Sequence, residues 1–422
     1  MSHILLLLAT HTYRAQDFLD AAAALGVAVT VGADGSQALA DLVPESTLEL
    51  DFGNLEGSLA SIARLATQHP IDAVVPAEDE GTVLAARAAE TLGLPHNPVE
   101  AVVGARYKHL TRKRLARMGV PGPGFRLLSV DDDPEVAAAQ ATYPCVLKPV
   151  LLSASRGVIR ANERKGFVVA FRRIARILEE PEVVERHDPA ARLILAEEYV
   201  AGDELAVEAV LTNGELQVLA LFDKPDPLEG PLFEETLFVT PSRRPESEQK
   251  AIGERVAWAA RALGLRHGPL HAEVRVNEQG IYPIEIAPRS IGGLCSRTLR
   301  FGAGISLEEL ILRHATGMGI SGLEREPRAA GVMMIPIPSG GILRAVGGVT
   351  EAETVPGVRG IEISIPIGQN VVPLPEGHRY LGFIFASADT PQQVEKTLRR
   401  AHRRLEFSIE PAAAPDQPSS LM

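Results

Sequence analysis

Two glutamates, Glu273 and Glu285, stand in a pattern that suits a divalent cation. The stretch 271–289 consists of two strand-like runs around Asn277-Glu278-Gln279-Gly280. A three-residue loop with Gly280 in the left-handed position pairs Asn277 with Ile281. Counting outward then sets Glu273 directly across from Glu285 on one face, whereas a four-residue loop would shift the pairing by one. Like charges opposed on a sheet destabilise it, and Mg²⁺ takes oxygen ligands while leaving positions for water and phosphate. A solvated acidic face is the competing explanation. The apolar neighbours Ile284 and Ile286, with Arg289 close behind, favour the cation.

Other segments carry charge where charge is costly. Lys148 ends the apolar run Tyr143-Pro144-Cys145-Val146-Leu147, and a cation there needs a phosphate or carboxylate partner. The adjoining Ser153-Ala154-Ser155-Arg156-Gly157-Val158 offers small residues, hydroxyls and backbone N–H groups that can wrap a polyphosphate. Glu197-Glu198-Tyr199-Val200 closes one strand, and Gly202-Asp203-Glu204 opens the next. Glu78-Asp79-Glu80 follows a short buried strand, at the end where open α/β sheets bind ligands, which makes it a candidate amine site. His271 either approaches phosphates or packs. Cys295 has no evident histidine partner and reads as packed rather than nucleophilic.

The elements that must position these residues alternate at first. Strand-like runs at 3–9, 27–31 and 73–76 alternate with helical patterns at 13–25, 55–67 and 82–92, the order of a parallel sheet with helices on both faces. The first strand is followed by Thr10-His11-Thr12-Tyr13 and no GxGxxG, and GxxxxGK[ST] is absent throughout. After a linker at 94–98 come one helix over 99–118, strands at 125–128, 143–150, 193–200 and 204–212, helices at 167–178 and 246–263, the hairpin 271–287 and a helix at 307–316. From Gly331 short strands dominate, with a helix at 391–405. The tail from 411 to 422 is Pro/Ala/Ser-rich and reads as disordered.

Composition bounds the rest. The 422 residues suggest two to four domains, and a net charge of −12 argues against a nucleic-acid partner. The longest apolar run near the N-terminus, Ile4 to Ala9, is far short of a membrane span and lacks the basic flank of a secretory signal. Two cysteines make neither a disulfide framework nor a zinc site, so a cytoplasmic location is expected.

Taken in order, Lys108, Lys148, the Ser/Gly loop, Glu-Glu-Tyr-Val, Gly-Asp-Glu and the Glu273/Glu285 hairpin resemble the ATP-grasp superfamily over about Ala105 to Thr316. Gly268-Pro269-Leu270-His271-Ala272-Glu273, then Ile284-Glu285-Ile286-Ala287-Pro288-Arg289 and Gly292-Gly293, are similar to carboxylate–amine ligases of the L-amino-acid ligase type. The fold implied is α/β and α+β. It comprises a parallel α/β pre-ATP-grasp domain at 1–98, an ATP-grasp domain at 99–318 with a lid at about 130–205, and a mixed α+β ligase-type domain at 319–410.

The resemblance also implies roles. Lys108 and Lys148 would contact ATP phosphates, with Lys148 also near the adenine. Ser153, Ser155 and Gly157 would belong to the lid loop. Glu198 and Val200 would meet the adenine through backbone groups, with Glu197 and Tyr199 in the same segment. Glu204 would bind the ribose. Glu273 and Glu285 would hold Mg²⁺, with Mn²⁺ as an alternative ion. Arg289 would grip the substrate carboxylate and stabilise the transferring phosphoryl group. Lys224, Glu234 and Glu235 would face the substrate, where Glu235 either holds an α-ammonium group or lies in a solvated loop.

Ala287 stands where many members carry Asn, a further metal ligand. The implied reaction is ATP-dependent amide formation, giving a dipeptide through an acylphosphate with release of ADP and phosphate. The implied partners are a small carboxylate and an amine, with a homodimer as the common habit of the family. Two alternatives are a purine-pathway ligase such as phosphoribosylglycinamide synthetase and a non-catalytic ATP-binding protein.

Overall fold

The computed structural model describes residues 2–9, 12–35, 46–185 and 188–411. The expected tail therefore lies, but for residue 411, outside the described residues, as do Thr10 and His11.

The first sheet is parallel, with His3–Leu8 and Ala28–Asp34 at its centre and Thr47–Leu50 and Ala73–Pro76 at its edges. Its first strand is apolar on both faces. Ile4, Leu6 and Leu8 pack toward Phe18 and Ala22 of the helix Ala15–Leu25. Leu5 and Leu7 pack toward Ile62 and Leu84 of the helices Leu55–Gln68 and Thr82–Leu92. A continuous apolar run is what a parallel sheet covered on both sides requires. The strand Thr47–Leu50 was not expected, because an edge strand of sequence TLEL buries only Leu50 and shows no apolar run.

The helix expected over 99–118 is two helices, Val99–Arg106 and Lys108–Arg117, with Tyr107 extended between them (φ −97°, ψ 109°). Tertiary contacts make the break. Tyr107 OH donates to Asp188 Oδ2 at 2.7 Å, and Lys108 Nζ donates to Leu152 O at 2.7 Å. The turn thus aims Lys108 at the next sheet.

That sheet is antiparallel and contains Phe125–Ser129, Leu193–Glu198, Cys145–Pro149 and Ile159–Ala161 in spatial order. The helix Arg164–Leu178 covers it with Phe167, Phe171, Ile174 and Ile177. The third sheet has eight antiparallel strands, beginning with the hairpin Gly280–Ala287 and Gly268–Asn277 and continuing through Asp203–Thr212, Glu215–Asp223 and Leu237–Thr240. It runs on into Ala329–Ile335, Gly382–Ala388 and Val358–Ile363, so one sheet takes strands from both sides of residue 319. Among the described residues, no helix is long and apolar enough to cross a membrane.

The loop after Cys145–Pro149 is tied to the far end of the chain. Gly157 N donates to Pro375 O at 2.9 Å, Arg156 Nε donates to Glu376 O at 2.8 Å, and Arg173 grips the Glu376 carboxylate at 2.5 and 2.8 Å. The Arg173–Glu376 side chains are more than a third exposed, so the pair adds little to global stability. Glu376→Gln is expected to leave the melting temperature within about 2 °C while speeding hydrogen exchange across 153–158. Unchanged exchange there would show that the loop is held by the backbone contacts alone.

Candidate active site: carboxylates and lysines in a cleft between three sheets

The acidic hairpin reaches the expected pairing by another route. Its loop has two residues, not three: Asn277 pairs with Gly280, and the Asn277 side chain accepts from the Gln279 and Gly280 N–H groups. A regular ladder from that turn would set Glu273 opposite Ile284. The ladder breaks after Val274–Pro283, and Glu273 pairs with Glu285. Ile284 is the extra residue of a β-bulge, next to a proline that has no N–H to give the ladder. The two one-residue differences cancel, and both glutamates face one cavity of about 310 Å³.

A second surprise lies beside Glu273. Lys224 Nζ reaches Glu204 Oε1 at 2.8 Å, Glu273 Oε1 at 2.7 Å and the Glu235 carboxylate. Carboxylate oxygens of these three glutamates lie within 4.8 Å of one another, close enough to hold a metal ion. Burial disfavours the ammonium, but the three carboxylates outweigh it and hold the Lys224 pKa well above its usual range. The same burial pushes Glu235 up to about 8, because Lys224 cannot neutralise all three acids and Glu273 repels it. Glu273 is held low despite burial, by Lys224 and His271.

His271 is held by Glu208 on the adjacent strand, where the two residues are directly paired and Nδ1 lies 2.5 Å from the Glu208 carboxylate. Burial opposes the charge on the imidazole, but Glu208 raises its pKa to about 9. The other Glu208 oxygen accepts from Ile291 N at 3.0 Å, which fixes the chain just after Arg289.

Lys148 is 6 % exposed and meets Glu197 Oε2 at 2.5 Å. Arg112 holds the same carboxylate, with Nε 2.5 Å from Oε1. Lys108 and Lys148 line the cavity together with Ser153, Ser155, Glu198, Tyr199 and Val200. From the parallel sheet, Asp79 receives Arg289 Nη2 at 2.8 Å, and Glu78 accepts from Thr12 Oγ1 and from Ala9 N at 3.4 Å. Burial raises the Glu78 pKa despite those bonds. From the irregular segment that leads into the strand Gly382–Ala388 come His378 and Tyr380.

Two lysines, a small-residue loop and two opposed carboxylates thus line one cavity. Residues 141–298 match the ATP-grasp domain family, 19–96 the ATP-grasp N-terminal domain and 333–410 the L-amino acid ligase C-terminal domain 2. The crystal structure of an L-amino acid ligase from Bacillus licheniformis superposes with a TM-score of 0.81 at 25% identity, over 97% of this chain and 99% of that one. The chain is an ATP-grasp ligase of the L-amino acid ligase family.

Other relatives include the alanine–anticapsin ligase of Bacillus amyloliquefaciens, 27% identical over 61% of this chain, and carnosine synthase 1 of Gallus gallus, 32% identical over 67%. The ligase spans 56% of the first and 31% of the second.

Of the residues singled out in the sequence, the ligase brings Lys108, Lys148, Ser153, Ser155, Glu197, Glu198, Tyr199, Val200, Glu204, Glu235, His271, Glu273, Glu285, Arg289 and Glu78 to one cavity. Gly157 lies at the back of the loop, at φ 73°, held to Pro375. Lys224 is 8 % exposed beneath the carboxylates. Glu204 is engaged by both Lys224 and Arg275, and Arg275 also donates to Val200 O at 2.9 Å. The Glu198 backbone N–H is taken by Gly124 O at 2.9 Å.

Sequence reasoning missed Asp79 as the Arg289 partner, and it missed Glu208, Arg112 and Arg275. Glu208 sits in an apolar strand, ELAVEAVL, and that misplaced charge was the available signal. Arg112 lies in a helix crowded with basic residues and gave none.

The Glu197 cluster makes a pH prediction. Burial alone would raise its pKa, but Arg112 and Lys148 bring it from the ordinary 4.5 down to about 2. A carboxylate with a depressed folded-state pKa contributes stability above pH 4.5, and that stability is lost as pH falls from 4.5 to about 2. Glu197→Gln is expected to give a shallower fall in urea midpoint over that window. An identical slope would show that the carboxylate carries no such linkage.

Proposed function

We propose that the ligase joins a small carboxylic acid to an amine, most simply two amino acids, with ATP as the activating co-substrate and Mg²⁺ as its metal. A carboxylate does not react usefully with an amine, because oxide would have to leave. The carboxylate attacks the γ-phosphorus, ADP departs, and the acylphosphate then offers phosphate as leaving group. Attack by the amine nitrogen on the acyl carbon forms the C–N bond, breaks the C–O bond to phosphate, and releases one proton.

The chain supplies positioning and charge. Lys108 and Lys148 attract the phosphates, and the 153–158 loop lies over them to exclude water from the acylphosphate. Two of the five N–H donors of Arg289 are committed, to Asp79 and to Ser290 O at 2.8 Å, which fixes the guanidinium so that the others can meet a substrate carboxylate. Glu78 and Glu235 face the cavity from different domains as acceptors for ammonium groups. Glu273 and Glu285 fit a hard cation by ligand chemistry and by their common face, and the cation when bound neutralises phosphate oxygens.

The observation that carries this reading is the convergence of the opposed carboxylates, the two lysines and Arg289 on a single cavity. A phosphate-release screen over amino-acid pairs with Mg-ATP tests it. Phosphate and ADP are expected, dependent on both an acid and an amine. Release of AMP and pyrophosphate, or turnover indifferent to added acid, would overturn the acylphosphate route.

A further inference from the structure

The two glutamates oppose one another only because the strand Gly280–Ala287 carries one extra residue. That strand is the outermost of its sheet, so carbonyls turned away from Gly268–Asn277 have no ladder partner. The bulge also leaves its extra residue out of the ladder, and a buried carbonyl left unpaired is costly. In this structure both carbonyls are met by one side chain. Arg112 Nη1 donates to Pro283 O at 2.8 Å and Nη2 to Ile284 O at 2.7 Å. Arg112 reaches them from the helix Lys108–Arg117 and is 3 % exposed. The remaining donors of the same guanidinium hold Glu197, which in turn holds Lys148.

We infer that Arg112 is a positioning residue: by capping the Pro283 and Ile284 carbonyls it holds the bulge that turns Glu285 toward Glu273, and through Glu197 it fixes that pair relative to Lys148. The inference rests on the proposed metal role of Glu273 and Glu285. Planar geometry is essential to it. A guanidinium can serve one carboxylate and two adjacent carbonyls at once, whereas an ammonium is a single point of charge. Arg112→Lys therefore keeps a cation for Glu197 and gives up the fixed pair of carbonyl contacts.

The test is Mn²⁺ binding at saturating ADP, read from the electron paramagnetic resonance of free Mn²⁺, so that it does not depend on turnover. Outer partners of metal ligands change metal affinity about 10- to 100-fold. Arg112→Lys is expected to weaken Mn²⁺ by at least about tenfold, while ADP affinity without metal, measured by calorimetry, stays within about threefold. Arg112→Gln leaves Glu197 and Lys148 as a neutral pair without the surplus positive charge, so its ADP affinity is expected to fall. If the lysine variant does not fold, the Mn²⁺ half of the test, read at saturating ADP, is carried by this variant alone. A folded variant that binds Mn²⁺ like the wild type overturns the inference, whatever its melting temperature. Glu285→Gln separates the two readings. If it too leaves Mn²⁺ affinity unchanged, the metal assignment itself has failed, and the role given to Arg112 falls with it. If it abolishes Mn²⁺ binding while Arg112→Lys does not, only the positioning role fails.

Discussion

Glu285→Ala is expected to lower ATP turnover on the order of 10³-fold, the range lost when a principal electrostatic contact to a transferring phosphoryl group is removed. The fold should survive and can gain. Glu285 stands directly opposite Glu273 on one face of the hairpin, and like charges so placed repel. Its removal relieves that repulsion in the metal-free protein. Activity and melting temperature are therefore expected to move independently, with turnover collapsing while the metal-free melting temperature holds or rises. ADP formation and a thermal melt on the same preparation check both halves. Near-normal turnover would remove the metal assignment. Turnover and stability falling together would make Glu285 structural.

How much of this could be read from the sequence differs between its parts. The parallel sheet was legible because Ile4 to Leu8 must bury two faces. The strand Thr47–Leu50 was not, since an edge strand buries too little to leave an apolar signature. The single helix expected over 99–118 failed at Tyr107, where packing against the next sheet overrides local preference.

In the site, Lys148 was visible because a cation in an apolar strand needs a reason. The partner found is Glu197, and it was not predicted. The Glu273–Glu285 pairing was expected on a loop count that proved one residue too long, and a bulge at Ile284 restored it. The signal for that bulge was present as Pro283, which cannot donate to a ladder. Lys224 at the centre of three carboxylates was beyond reach, because it depends on which strands become neighbours. The same holds for Asp79 and Arg289, which are 210 residues apart in the chain.

Lys148→Met is expected to weaken ADP binding about 100-fold, equivalent to about 2.7 kcal/mol and within the range of charge-assisted hydrogen bonds to phosphate. The argument lies in the charge of the buried cluster. Lys148 and Arg112 share the single carboxylate of Glu197, which leaves one positive charge uncompensated at the wall of the cavity. Burial and the neighbouring Arg112 lower the Lys148 pKa, so the surplus is held at a cost that an arriving phosphate repays.

Methionine has nearly the length of lysine and leaves Arg112 with Glu197 as a neutral, hydrogen-bonded pair, so folding is expected to be retained. Glu197→Gln acts in the opposite sense. It leaves two buried cations without their anion, so its principal effect falls on stability. Calorimetric titration of ADP into both variants distinguishes these outcomes. Unchanged ADP affinity in a folded Lys148→Met would show that this lysine serves the sheet and not the phosphates.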